Sequence, residues 1–197
     1  MVQATIPQQK AITLDGLMEL GSDARVEVID GEIVYMAPVG GTHQFVAGNA
    51  FRTLDAFVIK HQLGYVIMDG LIYLLDTNNK HLKGALVPDV SFIRKSSIPK
   101  DWNIDLPFPG APDLAVEVVS PNDDPDKLTA RVQRYLEFGT EEVWVLYPKS
   151  KMIYRYMVSQ QKTTILYHDG DTLEAELLFP GLKLNVGNLF TLPNFGA

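Results

Sequence analysis

Two acidic residues stand where a sheet-forming sequence leaves no room for a bare charge. Val-Pro-Asp at 87–89 opens an apolar run through Val90, Phe92 and Ile93, and Asp-Leu-Ala-Val-Glu-Val-Val-Ser-Pro occupies 113–121. Each segment reads as a buried strand, and a carboxylate inside a sheet needs a partner or a metal. Whatever this chain folds into must therefore bring positive charge to Asp89 and Glu117.

Side chains alternate along a strand, so Asp113, Ala115, Glu117 and Val119 share one face while Leu114, Val116 and Val118 share the other. By the same arithmetic Asp89, Ser91 and Ile93 lie together, opposed by Val90 and Phe92. If the two strands pair with these acidic faces aligned, two carboxylates converge on one spot. Such a pair suits Mg²⁺ or Mn²⁺ held by a few oxygens plus waters, and a site of that kind suits hydrolysis of a phosphodiester.

The rest of the pattern alternates elements around these strands. Thr13 caps a short helix to Leu20. Asp30-Gly31 is a strong hairpin signal between strands at 25–30 and 32–37. The spacing of Phe45, Val46, Ala50, Leu54, Phe57 and Val58 predicts a long helix capped by Thr42, running to about His61 and ended by Gly64. Residues 65–68, 71–75, 87–93 and 113–119 read as central strands, with a polar turn at 76–84. Residues 96–111, carrying Pro99, Pro107 and Pro109, form a loop beside the acidic pair, and its Lys100, Trp102 and Phe108 are candidate substrate contacts. Pro125 and a cap at Asp123 or Asp124 start a second helix that ends at Gly139, with Leu128, Val132 and Tyr135 facing the sheet. A buried strand at 143–147 and a meander over 152–158, 163–168 and 173–178, turned by Asp169-Gly170, complete an α/β core with β additions. Trp144 and Tyr135 read as core, and His61, His81 and His168 lack metal-ligand spacing.

Several of these segments together resemble the Uma-two family of restriction-endonuclease-like domains, within the PD-(D/E)XK nuclease superfamily. They are Ile-Asp-Gly-Glu at 29–32, the Ala-Pro and Thr-His pairs within 37–43, Val-Pro-Asp at 87–89, Pro-Asp-Leu-Ala-Val-Glu-Val-Val-Ser-Pro at 112–121, Tyr-Leu-Glu-Phe-Gly-Thr at 135–140 and Val-Trp-Val-Leu at 143–146. The resemblance implies a restriction-endonuclease-like fold: a mixed central sheet flanked by helices, with an N-terminal β-hairpin and a C-terminal β meander. It implies that Asp89 and Glu117 bind the metal, that Glu32 adds a carboxylate, and that His43 belongs to the site. The superfamily's lysine normally follows the glutamate by two residues, where this chain has Val119. The family's displaced lysine position, four residues before Tyr135, is Arg131. Arginine clamps phosphate but does not shed a proton as lysine can. Impaired catalysis is the corresponding expectation, and Lys127, one helical turn earlier, is a second candidate cation.

At 197 residues and 46% hydrophobic content the chain can bury one good core, which makes 1–197 a single domain. The absence of Cys excludes a disulfide framework and Cys-ligated zinc. Neither a membrane span nor a signal-peptide pattern is present, so a cytoplasmic location is expected. The formal net charge of -7 opposes a broad electrostatic grip on DNA. Plainer roles stand beside the catalytic ones: Asp89 binding backbone amides at a strand start, Glu117 in a salt bridge with Arg131, Glu32 solvated, and His43 a hydrogen-bonded residue at a helix start. Function then divides between a metal-dependent nuclease on DNA, expected as a homodimer, and a catalytically inactive nuclease fold that binds nucleic acid or protein. A structural protein whose acidic residues and Arg131 form a buried ion-pair network is the third reading.

Overall fold

The computed structural model describes residues 12–21, 23–78, 81–158, 163–194 and 196; the stretch read above for a signal peptide lies outside them. After a short helix α1, Leu14–Met18, whose N-terminal amide at Gly16 is capped by the Thr13 hydroxyl, strands β1 (Val26–Ile29) and β2 (Glu32–Tyr35) form the expected hairpin. Asp30 and Gly31 both take positive φ, 53° and 82°, as a tight two-residue turn between twisted strands requires.

Helix α2 spans Gly41–His61, with Gly40 rather than Thr42 at its N-cap. It closes on Gln62 in the left-handed conformation (φ 55°). Gly64, expected to stop the helix, instead opens β3 (Gly64–Met68) and has a different purpose: a Cβ there would lie 2.0 Å from the Ile93 carbonyl oxygen. Only glycine lets the two backbones come that close.

The segment read as a polar turn at 76–84 is largely strand. β4 (Tyr73–Asn78) and β5 (His81–Leu86) pair antiparallel, and with the first hairpin they build a four-stranded sheet in the order β2-β1-β5-β4. Residues 71–75 therefore do not belong to the central sheet. The polar sequence around His81 and Lys83 concealed an inward alternation in which Leu82, Gly84 and Ala85 are buried.

The central sheet adds β6 (Val90–Arg94), β7 (Leu114–Val118), β8 (Glu142–Tyr147), β9 (Met152–Met157) and β10 (Thr163–Tyr167), in the order β10-β9-β8-β7-β6-β3. Only β7 and β8 run parallel, and α3 (Pro125–Glu137) makes their crossover, starting with Asp124 as N-cap and Pro125 in the first turn. One face of the sheet carries Val90, Phe92, Leu114, Val116, Val118, Trp144 and Leu146 and is packed by α2. The other carries Ile93, Ala115, Val143 and Val145 and is packed by Val132 and Tyr135 of α3.

The C-terminal meander is shorter than expected. β11 (Thr172–Leu173) leaves the sheet and pairs with β12 (Leu184–Asn185), ahead of the short helix α4 (Val186–Leu189). Leu178, Phe179 and Leu182 between them fold onto the α2 side of the core. Hydrophobic content alone made 173–178 look like a strand.

Candidate active site

β6 and β7 pair with Val90 opposite Val116 and Ser91 opposite Ala115. One step further along this register, Asp89 falls opposite Glu117, so the two acidic faces are aligned. Asp89 is the last residue of the β5–β6 joint, where the chain passes from the small sheet to the central one through Val87 and Pro88. The Val118 N–H donates to its Oδ2 at 2.7 Å, and His43 Nε2, from the first turn of α2, lies 3.1 Å from the same oxygen.

Glu117 is buried, and α3 delivers its counter-charge. Arg131 Nη2 donates to both carboxylate oxygens, at 2.8 and 3.0 Å. The other amino group of that guanidinium bonds Glu27 of β1, a residue that sequence reasoning passed over. Glu27 is 3% exposed, and its second oxygen accepts from the Val87 N–H at 2.9 Å, while the Val87 carbonyl accepts from Arg131 at 3.4 Å. A single guanidinium thus ties β1, the Val87 joint and β7 together. The signal that could have found Glu27 is its place between Val26 and Val28 in mid-strand. Ordinary alternation assigns such a residue to the solvent face, but here both faces of β1 are covered.

Of the other residues singled out from the sequence, Glu32 is exposed at the start of β2, paired with Ile29, and has no bond to the cluster. Lys127 is exposed on α3, one turn before Arg131. The structure thus brings Asp89, Glu117, Arg131 and His43 together, adds Glu27, and leaves Glu32 and Lys127 outside the bonded network. Phe108 is not a surface contact: it is 2% exposed and packs on Tyr73, while Trp102 stands edge-on to it with its indole N–H on the Leu106 and Pro107 carbonyls.

Electrostatics follow from this crowding. Burial first, then the nearby charges of Asp89 and Glu27, push the Glu117 carboxyl up to about 7 against the pull of Arg131. Burial opposes charge on His43, but Asp89, Asp123 and Glu117 outweigh it and raise its pKa. Burial and then the Glu117 charge hold the fully enclosed Tyr135 hydroxyl well above its ordinary value. Arg131 stays charged because Glu117, Tyr135 and Glu27 together outweigh the cost of its burial. An open cleft of about 980 Å³ adjoins His43, lined by residues 40–43, residues 119–121, Asp123, residues 147–150 and Leu192.

A mixed central sheet with a parallel β7–β8 pair joined by the crossover helix α3 is a restriction-endonuclease-like fold. The chain belongs to the Uma2 family, described as "Putative restriction endonuclease", whose model matches residues 14–187. A crystal structure described as a putative nuclease belonging to DUF820, from Anabaena variabilis, superposes with a TM-score of 0.74 over 91% of this chain and 97% of that one. At 23% identity this likeness establishes the shared fold. Curated proteins gave no match.

Proposed function

We propose that the protein is a metal-dependent nuclease that hydrolyses phosphodiester bonds in DNA. The observation carrying this reading is the alignment of Asp89 and Glu117 along the β6–β7 register, with His43 joining Asp89 to the lining of an open cleft. Family membership supports it.

The donor set suits a hard divalent cation. Among the described residues no three His, Asp or Glu side chains form a cage, but Mg²⁺ is commonly held by one or two carboxylates with the remaining positions filled by water. Glu117 and Glu27 share one permanent cation, Arg131, while Asp89 is held by His43 and the Val118 N–H; burial first, then the charges of Asp89 and Glu27, raises the proton affinity of Glu117. Asp89 and Glu117 would hold the ion. When bound, it supplies a water of lowered pKa and polarises the phosphate.

The chain's own residues do the rest. Arg131 fixes the orientation of Glu117 and keeps a positive charge behind the reacting phosphate, where charge accumulates in the transition state. His43 orients Asp89 from the opposite side. Lys127 faces solvent one turn away and is free to meet the nucleic-acid backbone. A homodimer would present two such sites to the two strands of a duplex.

The test is incubation of supercoiled plasmid and single-stranded DNA with Mg²⁺, with Mn²⁺ and with EDTA. Cleavage that EDTA abolishes supports the proposal, and no cleavage with either metal overturns it. One observation favours a second reading, an inactive nuclease fold that binds nucleic acid or protein: Arg131, which cannot give up its charge, occupies both oxygens of Glu117. Nucleic-acid binding without metal, together with no activity gained by Arg131→Lys, would support that reading.

A further inference from the structure

The two edges of the small sheet are finished differently. On the β4 side residues 106–108 close the edge: the Leu74 N–H donates to the Phe108 carbonyl at 2.9 Å, and the Phe108 N–H donates to the Ile72 carbonyl at 2.8 Å. At the other end of the sheet β2 has β1 as its single neighbour. Natural edge strands are commonly protected by lysine, proline or a bulge. Glu32-Ile33-Val34-Tyr35 has none of these, and it pairs with β1 in unbroken register. Its apolar side chains are open as well, with Val34 39% exposed and Tyr35 74%.

The ladder determines which backbone groups face outward. The Met36 N–H donates to the Arg25 carbonyl at 2.9 Å, and bonded and unbonded pairs alternate along an antiparallel ladder, so Val34 and Glu32 bond inward to β1. The N–H and C=O groups of Ile33 and Tyr35 then point away from the sheet, and no partner reaches them among the described residues. One antiparallel two-fold register uses all of these groups within β2: Ile33 against the partner's Tyr35, Tyr35 against the partner's Ile33, and Val34 against the partner's Val34 on the axis. Shifting it by two residues brings Tyr35 opposite Gly31 or Ile33 opposite Ala37, beyond the strand. The side chains agree with the backbone. Ile33 and Tyr35 form aromatic–β-branched cross-strand pairs on one face, Val34 meets its own copy on the other, and Glu32 falls opposite Met36 rather than a second carboxylate.

We propose that β2 is a dimerisation edge, to which the β2 strand of a second copy of this chain adds in antiparallel register, joining the two four-stranded sheets into one. The self-complementarity of the edge selects this occupant, because the same four residues supply both sides of every pair. Glu27 lies opposite Val34 in the β1–β2 pairing. Across the junction the two Glu27 positions are therefore three strand spacings apart, about 14 Å, on one face of the joined sheet. The two acidic clusters stand on either side of the axis, which gives the homodimer of the nuclease reading a definite interface. A four-residue strand makes a small junction, so the dimer dissociates on dilution.

The test uses the whole chain. Sedimentation velocity at about 100 µM, where an interface of micromolar affinity is saturated, should show a dimer that dissociates on dilution. Tyr35→Lys changes a side chain that is already exposed, removes both aromatic pairs and protects the edge, and should raise the dissociation constant about tenfold. The register is read by cross-linking, which the absence of any native cysteine makes unambiguous. Val34 and its copy form an unbonded pair with Cα atoms about 4.5 Å apart, within reach of a disulfide. Oxidised Val34→Cys should therefore run as a covalent dimer, while Tyr35→Cys, more than about 7 Å from its copy, should not. A monomer at that concentration, a dimer that Val34→Cys does not lock, or unchanged self-affinity in Tyr35→Lys would overturn the interface. These readouts are separate from cleavage. A wild type that cleaves DNA as a monomer overturns the interface and leaves the nuclease reading standing, and a Val34→Cys-locked dimer in a protein that cleaves nothing does the reverse.

Discussion

Glu117 is pulled two ways, buried beside two like charges yet bonded through both oxygens to Arg131. Its pKa rises from 4.5 to about 7 on folding, so the folded protein holds a proton that the unfolded chain releases in that window. In EDTA, stability should be highest below about pH 4.5 as far as this group is concerned, and should fall as pH rises through 7, by on the order of 3 kcal/mol. His43, whose pKa is also raised, adds a change of the same sign from 6.5 upward. Urea unfolding between pH 4.5 and 8 should show a shallower fall in Glu117→Gln than in the wild type, and parallel curves would contradict this account. Arg131→Ala leaves Glu27 and Glu117 buried without a cation, and should cost about 3–5 kcal/mol in the same assay at pH 7.5. The loss should be smaller in Arg131→Lys. Asp89 and Glu117 were legible in the sequence because a lone carboxylate in an apolar strand announces itself. Glu27 was not, because between Val26 and Val28 it reads as the polar face of an ordinary hairpin.

Among the elements, two glycines show how differently one residue type can be used. Gly64 lets β3 approach β6, and Gly64→Ala should destabilise the protein by about 1–3 kcal/mol because its Cβ would meet the backbone of Ile93 and Arg94. Gly48, inside α2, would present a Cβ only to the flexible end of Arg52, at 3.2 Å. Gly48→Ala should therefore be neutral or stabilise by up to about 1 kcal/mol, from the helix preference for alanine. Thermal unfolding of the two variants side by side checks both. The sequence revealed α3 in full, since Asp124, Pro125 and Gly139 each have a positional reason, and it revealed the first hairpin through Asp30-Gly31. It did not reveal β5, where one apolar residue among His81, Lys83 and Gly84 carries the inward pattern. Nor did it show that β4 leaves the central sheet, because partner choice is decided by contacts far apart in the chain.

Over the whole molecule, the network of Glu27, Val87, Arg131 and Glu117 joins the small sheet to the central one next to Asp89. The position of the acidic couple thus depends on two sheets and one helix, not on a loop, which is how a site is held to fractions of an ångström. A second buried pair, Arg155 with both oxygens of Glu142, sits on β8 and β9 away from the cleft and accepts the Trp144 indole N–H as well. Its remoteness marks it as part of the framework. Arg155→Leu should therefore destabilise the fold, leaving Glu142 buried without its cation, while DNA affinity per folded molecule is retained. The measurement that reaches the central claim most directly is cleavage of supercoiled plasmid in Mn²⁺ by wild type and Glu117→Gln prepared identically, with circular dichroism and DNA affinity recorded on the same samples. The account expects cleavage by the wild type and its loss in a variant that remains folded and still binds DNA; cleavage retained by folded Glu117→Gln would contradict it.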